Sequence, residues 1–452
     1  MFSFVDFAQH VLSTIWSRGL LPAQKYTSTD SKMGDLDAIL KKYTSEVENH
    51  LRGATFIAVD KDGTHTSLKY PSHMYSRLIT GKTLYSKSFG SRTFEPNTES
   101  PLQGDSIMWI ASLTKLITTI ACLIAVEKNL ITLDQDIRSI VPELRDIEIL
   151  LSFEEGTFPR KPFTKPTSPP ISLRQLLSHQ SGFAYDQLSP DLKEWSAYHK
   201  KTEWTMTGSM GGYQHPLLFE PGKGWTYGAG MDWAGRAIEI VSGQTLEEFM
   251  QENIFSQLGM NDTTFRPEFR PDYDERTMTM AWRDRSVLPY GGKLVAGKNP
   301  WGFPAKDCCG GCGLYSTAND YAKLLSSFLS PTCSILSQES INEILTPQLS
   351  DPRYFLDIIN GPGRAHLGQT WPQGAQATFG LSSSINLENF PGRRQKMSAN
   401  WSGMPGLHAW VDRESGVAGL LASQVLPPGD PMVTKCLLEL ETALYSHLRA
   451  SS

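Results

Sequence analysis

An uncharged stretch in the first third of the chain constrains the fold more than any other feature. From Leu116 to Val126 the sequence carries no charged side chain. A helix without a polar stripe is buried on nearly all sides. Residues 112–129 are therefore predicted to form a helix in the centre of a large core, and the rest of the chain has to surround it.

Strand-like segments lie towards both ends of the chain, and helical patterns lie mostly between them. Strands are predicted from composition and turn signals at residues 54–60, 83–90, 407–412 and 417–424. Helices are predicted from apolar periodicity at residues 233–241, 246–258, 321–329 and 433–448. This order predicts an α/β (α+β) fold, in which one antiparallel sheet is built from both chain ends, flanked by helices, with a mainly helical region inserted.

The same pattern divides the chain into three parts. Residues 1–34 are predicted to form an N-terminal amphipathic helix extension. Residues 35–115 and 260–452 are predicted to form the sheet domain, and residues 116–259 the mainly helical domain. The active site is expected between these two domains.

Charge and hydropathy exclude several classes of function. With 42 Lys+Arg against 47 Asp+Glu, the net charge of −5 offers no basic field for nucleic acid. No run of about 18 apolar residues exists, so no membrane span is predicted. The N-terminal segment has no basic residue before its interrupted apolar stretch, which argues against a secretory signal. A cytoplasmic protein is expected.

The cysteines do not suggest a metal centre. Only six cysteines occur, and three of them lie in the run Cys308-Cys309-Gly-Gly-Cys312. Zinc sites usually pair two such clusters or add histidines at fixed spacing, and neither is present. We interpret the run as a tight glycine loop with incidental thiols, and predict neither a metal nor another cofactor.

Ser112 and Lys115 stand at the start of the uncharged helix. Residues three apart share a helix face, so the Lys115 amine can reach the Ser112 hydroxyl. The positive end of the helix dipole and burial both favour the neutral amine, which can take the serine proton. The alternative is a serine that only caps the helix, followed by a lysine at the surface. The apolar sequence on both sides of Lys115 argues against this alternative. The pair is therefore predicted to be nucleophile and base.

A tyrosine on a glycine loop is the candidate for the second proton-transfer group. Tyr227 lies in Trp-Thr-Tyr-Gly-Ala-Gly, immediately before a predicted helix. Gly228 and Gly230 permit an unusual backbone that projects a side chain into a cleft. Such a tyrosine alone is more often a packed aromatic, but the company of Ser112 and Lys115 favours catalysis.

These motifs together resemble those of class C β-lactamases and penicillin-binding proteins. The third motif is Trp401-Ser-Gly403 on a late strand. Connecting signatures extend the resemblance over nearly the whole chain, at residues 176–182, 258–263 and 310–317. Within this superfamily, two segments are most similar to the fungal lovastatin-type acyltransferase (transesterase) subgroup, at residues 225–235 and 251–254.

The resemblance implies a β-lactamase/transpeptidase-like fold and a Ser-Lys-Tyr mechanism through an acyl-enzyme. It also implies an oxyanion hole made by the backbone N–H groups of Ser112 and Met404. Trp401, Gly403 and Trp410 are the candidate substrate-binding residues. In this family the turn that contains His179 and Ser181 is structural, so neither is expected to be catalytic.

Two departures from the β-lactamase motifs change the expected substrate. The second motif of β-lactamases is Tyr-x-Asn, but Ala229 stands at its third position here. The third motif begins with Trp401 instead of the lysine that binds the antibiotic carboxylate. An aromatic wall in place of a cation favours neutral, apolar acyl groups.

Two activities fit these residues. The first is transfer of an acyl group from a thioester donor to a hydroxyl of a small hydrophobic acceptor in fungal secondary metabolism, with a polyketide-synthase acyl carrier protein as the candidate carrier of the donor. The second is ester hydrolysis, which uses the same acyl-enzyme with water as acceptor. The similarity around Tyr227 favours transfer. An inactive binding protein is disfavoured because Ser112 and Lys115 are both present.

Overall fold

The computed structural model describes residues 34–45, 50–61, 83–95, 99–284, 286–287 and 291–451. The predicted N-terminal helix extension (residues 1–34) lies outside the described residues except for Gly34. Within the described ranges, no helix is long and apolar enough to cross a bilayer.

The strands pair into one large sheet and several small ones. In chain order they are β1 (Gly53–Asp60), β2 (Thr83–Gly90), β3 (Met108–Trp109), β4 (Glu148–Phe153), β5 (Pro162–Pro166), β6 (Ala281–Arg283), β7 (Leu294–Ala296), β8 (Tyr315–Ser316), β9 (Ala377–Phe379), β10 (Ser384–Asn386), β11 (Ala399–Gly403), β12 (Leu407–Asp412), β13 (Val417–Ala422) and β14 (Val425–Leu426). The large sheet has the order β2-β1-β13-β12-β11-β10-β9.

The helices surround this sheet. In chain order they are α1 (Gly34–Thr44), α2 (Thr114–Glu127), α3 (Leu173–Leu177), α4 (Pro190–Tyr198), α5 (Gly230–Ser242), α6 (Leu246–Met250), α7 (Ser256–Leu258), α8 (Tyr273–Arg276), α9 (Ala318–Leu329), α10 (Gln338–Leu345), α11 (Arg353–Asn360) and α12 (Pro431–Ser451). Helix α9 packs on β1 and β13, and α12 packs on α1.

The large sheet joins the two ends of the chain. Strand β1 pairs antiparallel with β13 from Thr55↔Ala422 to Asp60↔Val417. All residues of β1 except Asp60 are buried, because helices cover both faces of the sheet. The predicted sheet built from both chain ends is confirmed.

The uncharged segment forms α2 at the centre of the main core. Its residues from Ile117 to Ala125 are buried, and they pack with residues of α5 in the largest apolar cluster. A three-residue 3₁₀ turn, Ala111–Leu113, precedes the helix. The predicted central helix is therefore confirmed, with its first residues in a tighter turn.

The inserted region is not purely helical. The Pro- and Gly-rich composition of residues 156–170 is typical of a loop, but β5 lies within them and pairs with β4. The prolines at both ends of β5 are typical of loops in sequence. A strand at a sheet edge nevertheless tolerates them, because an edge position does not need every backbone N–H for pairing. The division into a sheet domain and a mainly helical domain remains a prediction.

Candidate active site

The nucleophile turn is held between two parts of the chain. Strand β3 pairs with β8, and the Ile110 N–H donates to the Leu314 carbonyl oxygen at 3.1 Å. Ala111 adopts a positive φ of 44°, which L-residues rarely do. Such strain persists only where the surroundings impose it, and it frequently marks a functional turn. The half-buried Ser112 follows directly.

Lys115 is fully buried and has three hydrogen-bond partners. Its Nζ lies 3.1 Å from Ser112 Oγ, 3.0 Å from the Tyr185 hydroxyl and 2.7 Å from the Gly311 carbonyl oxygen. The carbonyl can only accept, whereas both hydroxyls can donate or accept. A neutral amine can therefore donate two bonds and receive the proton of Ser112 on its lone pair.

The hydroxyl of Tyr227 completes the contact around the nucleophile. It donates to Ser112 Oγ at 2.6 Å, so the serine oxygen lies between the tyrosine and the lysine. The glycines of the loop permit close packing, because a Cβ at Gly228 would meet the Phe183 carbonyl oxygen at 2.1 Å. The structure thus brings the three predicted catalytic residues together.

The cysteine-rich run forms the glycine loop that was predicted. A Cβ on Gly310 would lie 2.7 Å from the Met231 carbonyl oxygen, which explains why glycine is needed there. Burial raises the pKa of Cys312 to about 12, so this thiol stays protonated. Its carbonyl oxygen accepts from Trp109 Nε1 at 2.7 Å. The loop supports the site through its backbone.

The turn after β11 lies beside the nucleophile turn. Gly403 is so close that a Cβ there would lie 2.5 Å from the Ile110 carbonyl oxygen. Among the backbone hydrogen bonds of turns and loops in the described part of the chain, none has the Ser112 N–H or the Met404 N–H as its donor. Two free donors next to a nucleophile are what an oxyanion hole requires. This arrangement supports the predicted oxyanion hole, which stays a prediction.

The two predicted tryptophans lie on opposite faces of the sheet. The Trp401 ring is 5.2 Å from the Tyr227 ring, centroid to centroid. In the β11–β12 register, Trp401 pairs with Ala409, which turns Trp410 to the other face. Trp410 borders a small cavity next to Ser112, but its ring stacks on Phe56 at 6.0 Å. The predicted substrate-binding role of Trp410 stays a prediction, since Trp410 borders the cavity but its ring lies against Phe56.

The motif residue His179 lies behind Tyr227. Its ring contacts the Tyr227 ring edge-on at 4.9 Å, and its Nδ1 accepts from the Gly228 N–H at 3.4 Å. Burial lowers the pKa of His179 well below its ordinary value, so the imidazole is neutral. This placement agrees with the structural role predicted for the turn.

Two residues of the site were missed by sequence reasoning. Tyr185 bonds Lys115, and burial raises the pKa of this phenol well above its ordinary value. Asp232 is fully buried, and its Oδ1 accepts from the Gly311 N–H at 2.8 Å. Tyr185 follows the 176–182 signature by three residues and Asp232 lies within the similar segment 225–235, but neither residue was singled out from the sequence.

A serine hydroxyl held between a lysine amine and a tyrosine hydroxyl is the arrangement of an enzyme that forms a serine acyl-enzyme. The amine can receive the serine proton during attack, and the phenol can protonate the leaving group. The fold, with an antiparallel sheet built from both chain ends, is the one expected from the β-lactamase resemblance.

Comparison with known proteins agrees with this class. The family model described as Beta-lactamase matches residues 77–443, and the chain belongs to this family. Lovastatin esterase from Penicillium rubens is 33% identical over 77% of this chain and 87% of its own. Monacolin J acid methylbutanoyltransferase from Aspergillus terreus is 31% identical over 82% of this chain and 90% of its own.

The solved structures show the same relationship. The LovD6 mutant of simvastatin synthase (LovD) from Aspergillus terreus has a TM-score of 0.80 and 30% identity, covering 92% of this chain and 95% of that one. The predicted β-lactamase/transpeptidase-like fold and the similarity to lovastatin-type acyltransferases are confirmed.

Despite its family, the protein is expected to be a poor β-lactamase. The site has Ala229 and Trp401 where β-lactam recognition uses an amide and a cation, so the antibiotic carboxylate would meet an indole. We expect hydrolysis of a chromogenic cephalosporin to be at least about 10³-fold slower, in kcat/KM, than cleavage of an acyl thioester. Comparable rates for the two substrates would show that these positions do not set the substrate class.

Proposed function

We propose that the protein is an acyltransferase that moves an acyl group from a thioester through a Ser112 acyl-enzyme to a hydroxyl of a small hydrophobic, polyketide-like acceptor. The observation that carries this proposal is the Ser112 hydroxyl held between Lys115 and Tyr227. Lys115 acts as the base, Tyr227 protonates the departing thiol, and the N–H groups of Ser112 and Met404 stabilise the oxyanion.

The surroundings of the nucleophile support an apolar acyl group. A small cavity next to Ser112 is lined mainly by apolar residues, among them Leu116, Leu325, Phe328, Trp401 and Trp410, and also by the polar Ser383 and Asn400. None of the lining side chains is charged, and burying a charged substituent without an opposite charge is costly. A short, neutral acyl chain suits this lining best.

An aromatic cluster supports the wall beside the site. Trp401 packs on Tyr227 and edge-on against Phe379, at 5.3 Å between ring centroids. Phe379 in turn contacts Trp225 and Phe355. A fixed apolar wall keeps water away from the acyl ester and leaves space for a hydrophobic alcohol.

The relatives support transfer and its substrates. Besides the methylbutanoyltransferase of Aspergillus terreus, the acyltransferase calJ of Penicillium decumbens is 31% identical over 89% of this chain. We propose a polyketide-like alcohol as the acceptor and a thioester as the donor, carried by an acyl carrier protein. We also propose that the reaction belongs to secondary metabolism, like those of the acyltransferases that this chain resembles.

Ester hydrolysis is the second candidate, because the 33% identical relative from Penicillium rubens is named an esterase. The two activities differ in what removes the acyl group from Ser112. We expect a slow loss of the acyl-enzyme in buffer and a loss at least about tenfold faster with a bulky hydrophobic alcohol. Single-turnover intact-mass spectrometry at several alcohol concentrations measures both rates. A fast rate in buffer that does not change with alcohol would favour the esterase.

Trp401→Leu is expected to shift the protein towards hydrolysis. The change removes the ring that packs on Tyr227, so water gains access to the acyl ester. The ratio of hydrolysis to transfer should rise at least about fivefold, measured from acid and ester products in one reaction. Trp195→Leu is the matched control, because it removes a half-buried indole that packs on His199 and does not border the cavity next to Ser112. Equal effects of the two variants would remove Trp401 from the proposed wall.

A further inference from the structure

Asp232 is a buried carboxylate that the mechanism above does not use. It lies in the first turn of α5, two residues after the Tyr227 loop ends, and no part of it is exposed. Its Oδ1 accepts from the Gly311 N–H at 2.8 Å. Its Oδ2 has no hydrogen-bond partner within the described residues. A buried carboxylate oxygen without a partner is costly, so the position calls for an explanation.

One peptide unit connects this carboxylate to the catalytic lysine. The Gly311 N–H is bonded to Asp232, and the Gly311 carbonyl oxygen receives Lys115 Nζ at 2.7 Å. The approach is close enough that a Cβ on Gly311 would lie 2.4 Å from Asp232 Oδ2 and 2.7 Å from the Tyr185 hydroxyl. Only glycine allows the carboxylate and the lysine to share this peptide.

We propose that Asp232 is a positioning residue for Lys115: its carboxylate fixes the Gly311 peptide that Lys115 contacts, and its negative charge stabilises the ammonium that forms when Lys115 takes the serine proton. This inference rests on the proposed acyl-transfer function. The Ala229 side chain has no polar group that could contact Lys115, whereas Asp232, one helix turn later, provides a negative charge.

Several titratable side chains, contributed by different elements, surround Asp232. Among the described residues that act on Asp232, Lys115 is the basic side chain, and burial raises the pKa of Tyr185, Tyr213, Cys309 and Cys312, so these four groups are neutral. Burial raises the pKa of Asp232 to about 6, while Lys115, the Gly311 N–H and the Tyr213 hydroxyl act in the opposite direction. The carboxylate is therefore ionised near neutral pH.

The test compares acylation rates at different pH values. Asp232→Asn keeps an oxygen for the Gly311 N–H but removes the charge. Without that charge the ammonium is less favoured, so the pH midpoint of acylation should fall by about one pH unit or more. The probe is the butanoyl thioester of N-acetylcysteamine, and the acyl-enzyme is counted by intact-mass spectrometry after acid quenching.

Asp412→Asn is the matched control. Asp412 is equally buried and accepts from Gln395 N–H and the Tyr445 hydroxyl, on the sheet face that carries α12. The pH midpoint of acylation should be the same in Asp412→Asn as in the wild type. A carboxylate in the first turn also stabilises its helix, and a role limited to that would leave the midpoint of Asp232→Asn unchanged. If the asparagine variant does not fold, Asp232→Ser is expected to give the same shift.

Thermal unfolding provides a second measurement. Because the folded protein raises the pKa of Asp232 above its ordinary value of 3.8, wild-type protein should lose melting temperature relative to Asp232→Asn as the pH rises from about 4 to about 6. Above that range the difference should be constant. A folded Asp232→Asn with an unshifted acylation midpoint would overturn the inference. A wild type that forms no acyl-enzyme at any pH would overturn the proposed function and with it this role.

Discussion

Ser112→Ala is expected to lower kcat/KM for thioester cleavage by at least about 10⁴-fold and to abolish the acyl adduct. Both Lys115 and Tyr227 contact the Ser112 hydroxyl oxygen, and alanine offers no nucleophilic atom in its place. The fold should survive, because the change removes one oxygen at a half-buried position. The measurement is steady-state thiol release, with intact-mass spectrometry for the adduct.

Ser181→Ala is the control for this loss. Ser181 is buried in the turn next to His179, and its Oγ has no partner among the described residues. Its replacement should leave the activity within about threefold of the wild type. If Ser112→Ala still formed a stable adduct on another residue, the nucleophile would lie elsewhere.

Lys115→Arg and Lys115→Met are expected to lower the acylation rate by about 10²–10⁴-fold, the usual contribution of a general base. A guanidinium cannot take the serine proton, and methionine has no basic atom. Methionine also leaves the Gly311 carbonyl oxygen and the Tyr185 hydroxyl without their partner. Each unpartnered group costs about 1–3 kcal/mol of unfolding free energy, so the variant should also melt earlier.

Rapid-quench acylation and thermal unfolding separate the two effects. A variant that melts like the wild type but no longer acylates shows loss of the base. If Lys115→Arg acylated at more than about a tenth of the wild-type rate, Tyr227 would have to be the base instead.

The parts of the fold that the sequence predicted are those with strong local signals. The uncharged run marked α2, and strand-like composition with turn signals marked the strands that meet as β1 and β13. Ser112 and Lys115 are three residues apart on one turn, so their contact follows from helix geometry. Tyr227 could be predicted because the glycines that follow it permit a backbone conformation that projects the side chain into a cleft.

The missed residues depend on tertiary contacts. Tyr185 reaches Lys115 across 70 positions of sequence, and Asp232 reaches Gly311 across 79. Nothing local distinguishes either from an ordinary buried aromatic or a helix-stabilising carboxylate. The face of the sheet on which Trp410 lies could not be predicted for a related reason, because it depends on the register of β11 with β12, which pairs Trp401 with Ala409.

The most direct test of the central claim is the site and fate of the acyl group in a single turnover. Wild-type protein is mixed with a slight excess of the butanoyl thioester, and half of the sample then receives a hydrophobic polyketide-like alcohol. Peptide mapping should find one butanoyl group on Ser112, which persists in buffer and is transferred to the alcohol as an ester. An adduct on another residue, or a Ser112 adduct that yields free acid at the same rate with and without alcohol, would contradict the account.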